Sequence, residues 1–279
     1  MIRDLFVPLT GTPGDEKAVA AAIRMASTLD AHVTVAQTVN IPLPTIEPWG
    51  MLPSATEMYS ALRANATADL ERYRPVLERE GVSHELRLAE SLFLEPPDTF
   101  ALHARYADLS VLAAPAGDVL RDAAIIRRFF AALLFQSGRP VMVVPPNHAF
   151  EWPLERAMVA WKPTRECTDA LHEAIPLLCD AAAIEVVSIA PGIGDFGHGD
   201  WPGADIGTHL ARHGLAVNVV TLPRQDQTVG TGLLTHAAER GAQLLIAGGY
   251  GHSRLREWML GGATSELLDT AQIPVLFSH

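Results

Sequence analysis

The feature that most limits how this chain can fold is an internal duplication. Val7, in an apolar run near the start, has a counterpart in Val159, and the alanines of the helical patterns that follow both runs recur at the same offset. The ends of the two halves match as well, because Arg139-Pro140-Val141-Met142 parallels Ile273-Pro274-Val275-Leu276. A repeat of about 140 residues is far longer than a solenoid unit and indicates two similar domains.

Within each half, short apolar runs alternate with helical patterns. This alternation predicts a mainly parallel sheet with helices on both faces. The expected fold class is α/β, with two Rossmann-like domains that each contain a five-stranded parallel sheet. We place the first domain at residues 1–146 and the second at 153–279, with a linker between them. A single long helix is predicted from Ala55 to Glu80.

Composition narrows the partners and the compartment. The 21 Lys and Arg residues against 32 Asp and Glu residues give a formal charge of -11, which argues against a nucleic-acid-binding surface. No apolar run approaches the roughly 18 residues of a membrane span, so no membrane partner is expected. The N-terminus lacks a secretory signal pattern, and Cys167 and Cys179 lie too far apart along one predicted helix to bridge. We expect a cytoplasmic protein.

The stretch 244–268 carries the strongest functional signal. An apolar run ends in the cluster Gly248-Gly249-Tyr250-Gly251, and the pair Gly261-Gly262 then opens a helical pattern. Glycines let backbone N–H groups approach an anion, and a helix N-terminus adds partial positive charge. This arrangement predicts a phosphate cradle.

The spacing Gly248-x2-Gly251-x9-Gly261-Gly262, followed by the hydroxyl of Thr264, resembles the universal stress protein family. With the duplication, the resemblance covers essentially the whole chain and indicates a tandem two-domain member. It implies a stress-response protein that binds ATP, or another adenine nucleotide, in the C-terminal domain. The residues that it implies at the nucleotide are Ala247, Gly248, Tyr250, Gly251, Gly261, Gly262, Ala263 and Thr264. It also implies that the last strands of the two domains pair antiparallel as a pseudo-dimer, and that two chains associate as a homodimer.

Two positions depart from the pattern of the ATP-binding members. Gly262 stands where they carry Ser or Thr, so a hydroxyl is lost while the backbone N–H remains. Lys162 stands where they carry an Asp that holds the adenine, and Lys cannot accept a hydrogen bond from the adenine amino group. Trp161 is interpreted as a packing residue rather than a stacking platform. These losses keep a second hypothesis open, in which the chain is a nucleotide-free interaction or scaffold protein of the same fold.

The first half departs further. Its counterparts of Gly248 and Gly251 are Ala113 and Ala116, whose Cβ atoms would block close approach to a phosphate. We therefore predict that the N-terminal domain binds no nucleotide and acts as a structural partner.

Other chemistry finds little support in the sequence. Gly192-x-Gly194-x-x-Gly197 spells a dinucleotide fingerprint, but more loop follows it instead of a helix, so a flexible glycine loop is the preferred interpretation. No Walker loop, nucleophile elbow or metal-ligand spacing is present, and His198 with Asp200 is a weak candidate pair. We expect no catalytic residues and no metal, and at most a slow hydrolysis of ATP.

Overall fold

The computed structural model describes residues 1–41, 55–115, 119–147, 150–190, 203–223, 226–249 and 262–279. Its centre is one sheet of ten strands in the order β3-β2-β1-β4-β5-β10-β9-β6-β7-β8. The α/β class and the parallel sheets predicted from the sequence are confirmed. Within the described part of the chain, no helix is long and apolar enough to cross a membrane.

The elements of the first half alternate between strand and helix. They are β1 (Asp4–Pro8), α1 (Asp15–Leu29), β2 (His32–Asn40), α2 (Ala55–Glu71), α3 (Arg74–Glu80), β3 (His84–Ser91), α4 (Pro96–Ala104), β4 (Leu109–Ala113), α5 (Val119–Gln136) and β5 (Val141–Val144). The second half repeats this order with one helix fewer among the described residues. Its elements are β6 (Arg156–Ala160), α6 (Arg165–Leu178), β7 (Ala183–Ile189), α7 (Ala204–Arg212), β8 (Val217–Leu222), α8 (Val229–Arg240), β9 (Leu244–Gly248), α9 (Gly262–Thr270) and β10 (Val275–Ser278).

The two halves meet edge to edge at the middle of the sheet. Each half is a five-stranded parallel sheet, and β5 pairs antiparallel with β10, with Val143 opposite Val275. The antiparallel pairing that the resemblance implied is therefore confirmed. On one face of this seam the rings of Phe130 and Phe277 meet edge to face, with centroids 5.0 Å apart. Arg127 on α5 also forms an ion pair with Asp269 on α9, which links the two halves through their helices.

Two apolar layers cover the sheet, and both run across the seam. One contains buried residues of α1, α3, α6 and α7, including Met25 and Leu210. The other contains buried residues of α4, α5, α8 and α9, including Phe100 and Leu267. The central strands β4, β5, β9 and β10 are buried on both faces, and their sequences are short apolar runs, as expected for strands covered on both sides.

Two helices differ from the sequence prediction. The helix predicted over Ala55–Glu80 is two helices, because α2 ends at Glu71 and α3 begins at Arg74 with a proline in its first turn. Pro75 has no N–H to donate to the carbonyl group of Glu71, so the hydrogen bonds of α2 end there and a new helix begins. In addition, the helical pattern of the sequence predicts a helix over about Ala124–Gln136, whereas α5 begins at Val119.

Candidate functional site

Each half has a topological switch point, where the chain reverses its direction across the sheet. In the second half the chain runs from β6 to β7 and β8, then returns to place β9 on the other side of β6. Ligands of such sheets bind outside the carboxyl ends of the strands at this point. The carboxyl ends of β6 and β9 lead into Trp161 and Gly249, so the predicted glycine loop leaves the sheet at the switch point.

The end of β6 is fixed by backbone and side-chain hydrogen bonds. Trp161 N donates to Val187 O at 2.8 Å, and the buried Ser188 hydroxyl donates to Trp161 O at 3.0 Å. The Trp161 side chain packs partly buried against the apolar layer of α6, as the sequence interpretation expected. Thr164 then caps α6 by accepting a hydrogen bond from Cys167 N at 3.4 Å.

Gly248 lies directly beneath the first turn of α6. A Cβ at this position would lie 2.6 Å from Cys167 N and 3.0 Å from Cys167 Cα. Backbone atoms cannot move aside as a flexible side chain does, so packing alone requires glycine here. The residue was predicted as part of a phosphate cradle, and the structure gives it a packing role that sequence reasoning missed.

Gly249 connects the second half to the first. Its N–H donates to Ser278 O at 2.8 Å, and its carbonyl oxygen lies 3.0 Å from the His279 ring nitrogen Nδ1. A Cβ here would lie 2.8 Å from Leu134 Cδ2 on α5. The start of the glycine loop is thus tied to the C-terminal strand and packed against the other half.

The helix α9 begins at Gly262 and runs antiparallel to β9 and β10, so its N-terminus lies at the carboxyl edge of the sheet. Gly262 is exposed, and a Cβ there would meet nothing within 4 Å among the described residues. Packing therefore does not explain glycine at this position. Thr264, two residues later, is buried.

The second turn of α9 is held by the N-terminus of α8. Glu266 accepts hydrogen bonds from the Thr228 hydroxyl at 2.6 Å and from the Thr231 hydroxyl. Gly230 makes room for this carboxylate, which a Cβ would overlap. Burial opposes ionisation, but the hydrogen bonds from Thr228 and Thr231 outweigh it and lower the pKa of Glu266. The carboxylate thus occupies the positive end of α8 from within the protein.

At the switch point of the first half, a carboxylate fills the corresponding place. Asp15 is buried and accepts hydrogen bonds from Thr10 N at 3.0 Å, Thr10 Oγ1 at 2.6 Å and Gly11 N at 2.9 Å. Burial raises its pKa, and the hydrogen bonds from Thr10 and Gly11 act in the opposite direction. The loop after β1 is therefore closed around an acid of the chain itself.

In the first half, the glycine of the helix–strand contact lies on the helix side instead of on the strand. Gly14 in the first half and Glu166 in the second half lie 152 residues apart, as do Val7 and Val159. A Cβ on Gly14 would lie 2.7 Å from the Cβ of Ala113, the counterpart of Gly248. The first half thus has its glycine on the helix and the second half has it on the strand.

The same alignment reveals an electrostatic contrast between the switch points. Asp15 corresponds to Cys167, and Thr10 corresponds to Lys162. Where the first half has an internal acid and a threonine, the second half has a thiol and a lysine. At these two positions the second half therefore carries no acid and has a cation, which favours an anionic ligand.

The structure describes five of the eight predicted site residues. Ala247 has its side chain in the apolar core, while Gly248, Gly262, Ala263 and Thr264 lie at the carboxyl edge described above. Tyr250, Gly251 and Gly261 lie outside the described residues, as do the Gly192–Gly197 loop, His198 and Asp200.

Neither a protein-family model nor a curated protein sequence matches the chain. Solved structures do match it. A universal stress protein from Archaeoglobus fulgidus aligns with 99% of this chain and 95% of its own length, at 13% identity and a TM-score of 0.73. The chain has the universal stress protein fold.

Two proteins from Pseudomonas aeruginosa show the same fold at 16% identity. One is described as functionally unknown and aligns over 99% of this chain and 92% of its own, with a TM-score of 0.62. The other is described as a universal stress protein and aligns over 99% and 93%, with a TM-score of 0.60. Because these alignments span both partners almost completely, the tandem arrangement of two halves belongs to the shared universal stress protein architecture.

Proposed function

We propose that this chain is a stress-response protein of the universal stress type that binds an adenine nucleotide, ATP in the first instance, in its second half. The observation that carries the proposal is the pair formed by β9 and α9. The strand ends at Gly248 and the helix begins at Gly262, both at the carboxyl edge of the switch point. The glycine-rich sequence 249–261 connects them, and strand–glycine loop–helix is the order that binds phosphates.

The phosphate end of the nucleotide fits the described residues. The first turn of α9 points its N–H groups toward the carboxyl edge, and a Cβ on Gly262 would meet no described atom within 4 Å. No acid corresponding to Asp15 opposes an anion there, because Cys167 takes its place. Backbone hydrogen bonds to a charged group contribute about 1.5–3 kcal/mol each.

The base end fits less well. Lys162 at the end of β6 can donate to a base but cannot accept from the adenine amino group. Adenine therefore has to be held by backbone groups or by residues outside the described ranges. Guanine, whose O6 is an acceptor, suits a lysine better, which makes GTP the informative competitor.

Calorimetric titration of the purified protein with ATP tests the proposal. Gly251→Val should abolish binding, because its side chain would occupy the cradle. The matched control is Ala116→Val, at the counterpart of Gly251 in the first half, which should leave binding unchanged. Gly262→Ser restores the hydroxyl that ATP-binding members carry and should tighten binding about ten-fold, the equivalent of roughly 1.4 kcal/mol.

The outcomes separate the two hypotheses. Saturable binding that Gly251→Val removes supports the nucleotide site. No binding by the wild-type protein overturns it and favours the nucleotide-free interaction or scaffold protein, a hypothesis that the packing role of Gly248 keeps open. Tighter binding of GTP than of ATP would keep the cradle but contradict the choice of adenine.

The remaining assignments belong to the same proposal. The domains are residues 1–146 and 153–279, and the first binds no nucleotide because Asp15 already occupies its switch point. We also propose that the protein is cytoplasmic and forms a homodimer. Sedimentation equilibrium tests the dimer, and a monomer at all concentrations would contradict that part alone.

A further inference from the structure

Three histidines cluster on the surface of the second half, away from the switch point. His172 lies on the exposed side of α6, His209 lies in the last turn of α7, and His213 follows at the end of that helix. The rings of His172 and His209 have centroids 5.2 Å apart, and those of His209 and His213 are 4.7 Å apart. The residue 152 positions before His172 is Ala20, so the first half has no such cluster at the corresponding place.

The closest approach joins two helices. His172 Nε2 and His209 Nε2 lie 3.0 Å apart. Without an ion, one of these nitrogens must carry a proton and the other must accept it. Two nitrogens bound tetrahedrally to one Zn²⁺ at 2.0–2.1 Å would lie about 3.3 Å apart. The pair therefore needs to open by only a few tenths of an ångström for a metal ion to replace the shared proton.

Neutral imidazole is the form that binds transition metals. Two protonated rings whose nitrogens lie 3.0 Å apart would place like charges side by side, whereas one metal ion would be shared by both rings. On the same helix as His172, Asp169 is paired with Arg165 at 3.5 Å.

We propose that His172 and His209 form a chelating site for a divalent transition-metal ion such as Zn²⁺, with His213 as the third ligand. Imidazole suits Zn²⁺, Cu²⁺ and Ni²⁺. As placed, no three His, Cys, Asp or Glu side chains of the described residues converge on one point, so His213 has to rotate toward the pair. Water completes the tetrahedron. The ion would clamp α7 to α6, the helix whose first turn packs on Gly248.

The test is calorimetric titration of the chelator-treated protein with Zn²⁺ at neutral pH. One equivalent should bind, and His172→Gln and His209→Gln should each weaken it. Because loss of an outer-shell partner alone costs about 10–100-fold in metal affinity, loss of a ligand should cost at least about ten-fold. His213→Gln should weaken binding in the same direction. The matched control is His84→Gln on β3, which should bind as tightly as the wild type.

Two further measurements distinguish an ion that bridges α6 and α7 from an ion bound loosely at the surface. Zn²⁺ should raise the melting temperature of the wild type and not that of His209→Gln, because only a ligand that prefers the folded state stabilises it. With Cu²⁺ as the probe, the electron paramagnetic resonance spectrum should show coupling to more imidazole nitrogens in the wild type than in His172→Gln. No saturable binding, or equal affinity in the wild type and both variants of the pair, would overturn the proposal.

Discussion

Gly248 and Cys167 touch backbone to backbone, and a Cβ on Gly248 would lie 2.6 Å from the Cys167 nitrogen. This contact sets the distance between β9 and α6 at the switch point. Any side chain on Gly248 would push the first turn of α6 away from the sheet. Gly248, which the sequence predicts as part of a phosphate cradle, therefore also has a role in packing the fold.

Gly248→Ala should destabilise the protein by about 1–3 kcal/mol, the usual cost of overpacking a rigid site. The measurement is the unfolding free energy in urea. Gly262→Ala is the matched control, because its Cβ meets open space and Ala is the better helix former. It should be neutral or slightly stabilising. Equal losses in the two variants would contradict the packing role of Gly248.

The reversed contact of the first half predicts a rescue. Gly14→Ala should be destabilising, because its Cβ would lie 2.7 Å from the Ala113 Cβ. Adding Ala113→Gly should recover part of the loss, since the glycine then lies on the strand as it does in the second half. A double-mutant cycle should give a coupling of at least about 0.5 kcal/mol, in the range of contacting residues. Strict additivity would show that the two positions do not share a contact.

The contribution of Asp15 to the free energy of unfolding should decrease as the pH rises. Asp15→Asn leaves a buried N–H of Thr10 or Gly11 facing an amide donor, which should cost about 1–3 kcal/mol. The pKa of Asp15 is raised by burial, so the folded protein holds this proton more tightly than the unfolded chain. The contribution of the wild-type carboxyl is therefore full below its unfolded pKa of about 3.9 and declines as the pH rises through the folded value. Urea unfolding at pH 4 and pH 7 measures it, and an advantage over Asp15→Asn that grew with pH would refute the sign.

The contribution of Glu266 to the free energy of unfolding should instead decrease as the pH falls. Glu266→Gln replaces one of the two accepting oxygens by an NH2 group, which cannot accept the hydrogen bond that this oxygen receives, at a cost of about 1 kcal/mol for a partly exposed site. Hydrogen bonds from Thr228 and Thr231 outweigh desolvation and lower the pKa of Glu266. Its stabilisation is present above the unfolded pKa of about 4.3 and is lost as the pH falls through the folded value. Glu239→Gln, an exposed change on α8, should show no such trend; a loss of equal size there would point to net charge instead.

The sequence predicted those strands and helices that can be recognised from a short segment of residues. The apolar runs of β1 and β6, followed by helical patterns at the same spacing, indicated two equivalent halves. A buried parallel strand can be recognised from its own residues, because it is a short apolar run. The break between α2 and α3 was missed although Pro75 signalled it. The pairing of β5 with β10 followed only from the resemblance, since no local pattern states which strand edges meet.

The site was harder to predict, because its contacts join distant parts of the chain. Nothing near Gly248 shows that α6, some 80 residues earlier, packs on it. In the sequence Asp15 is only an acidic residue at the start of a helical pattern, and the hydrogen bonds that it accepts from Thr10 and Gly11 depend on how the loop folds back. The exchange of Asp15 for Cys167 was visible in the repeat, but its meaning required the geometry of both switch points.

The seam between β5 and β10 has a consequence for what each half can become. In an assembly of two identical chains, every substitution appears twice, so a site cannot be closed in one subunit and left open in the other. Here the two subunits are parts of one polypeptide, and Asp15 and Cys167 vary independently. Because both halves belong to one polypeptide, each can evolve a different role while Phe130 and Phe277 keep the halves packed together.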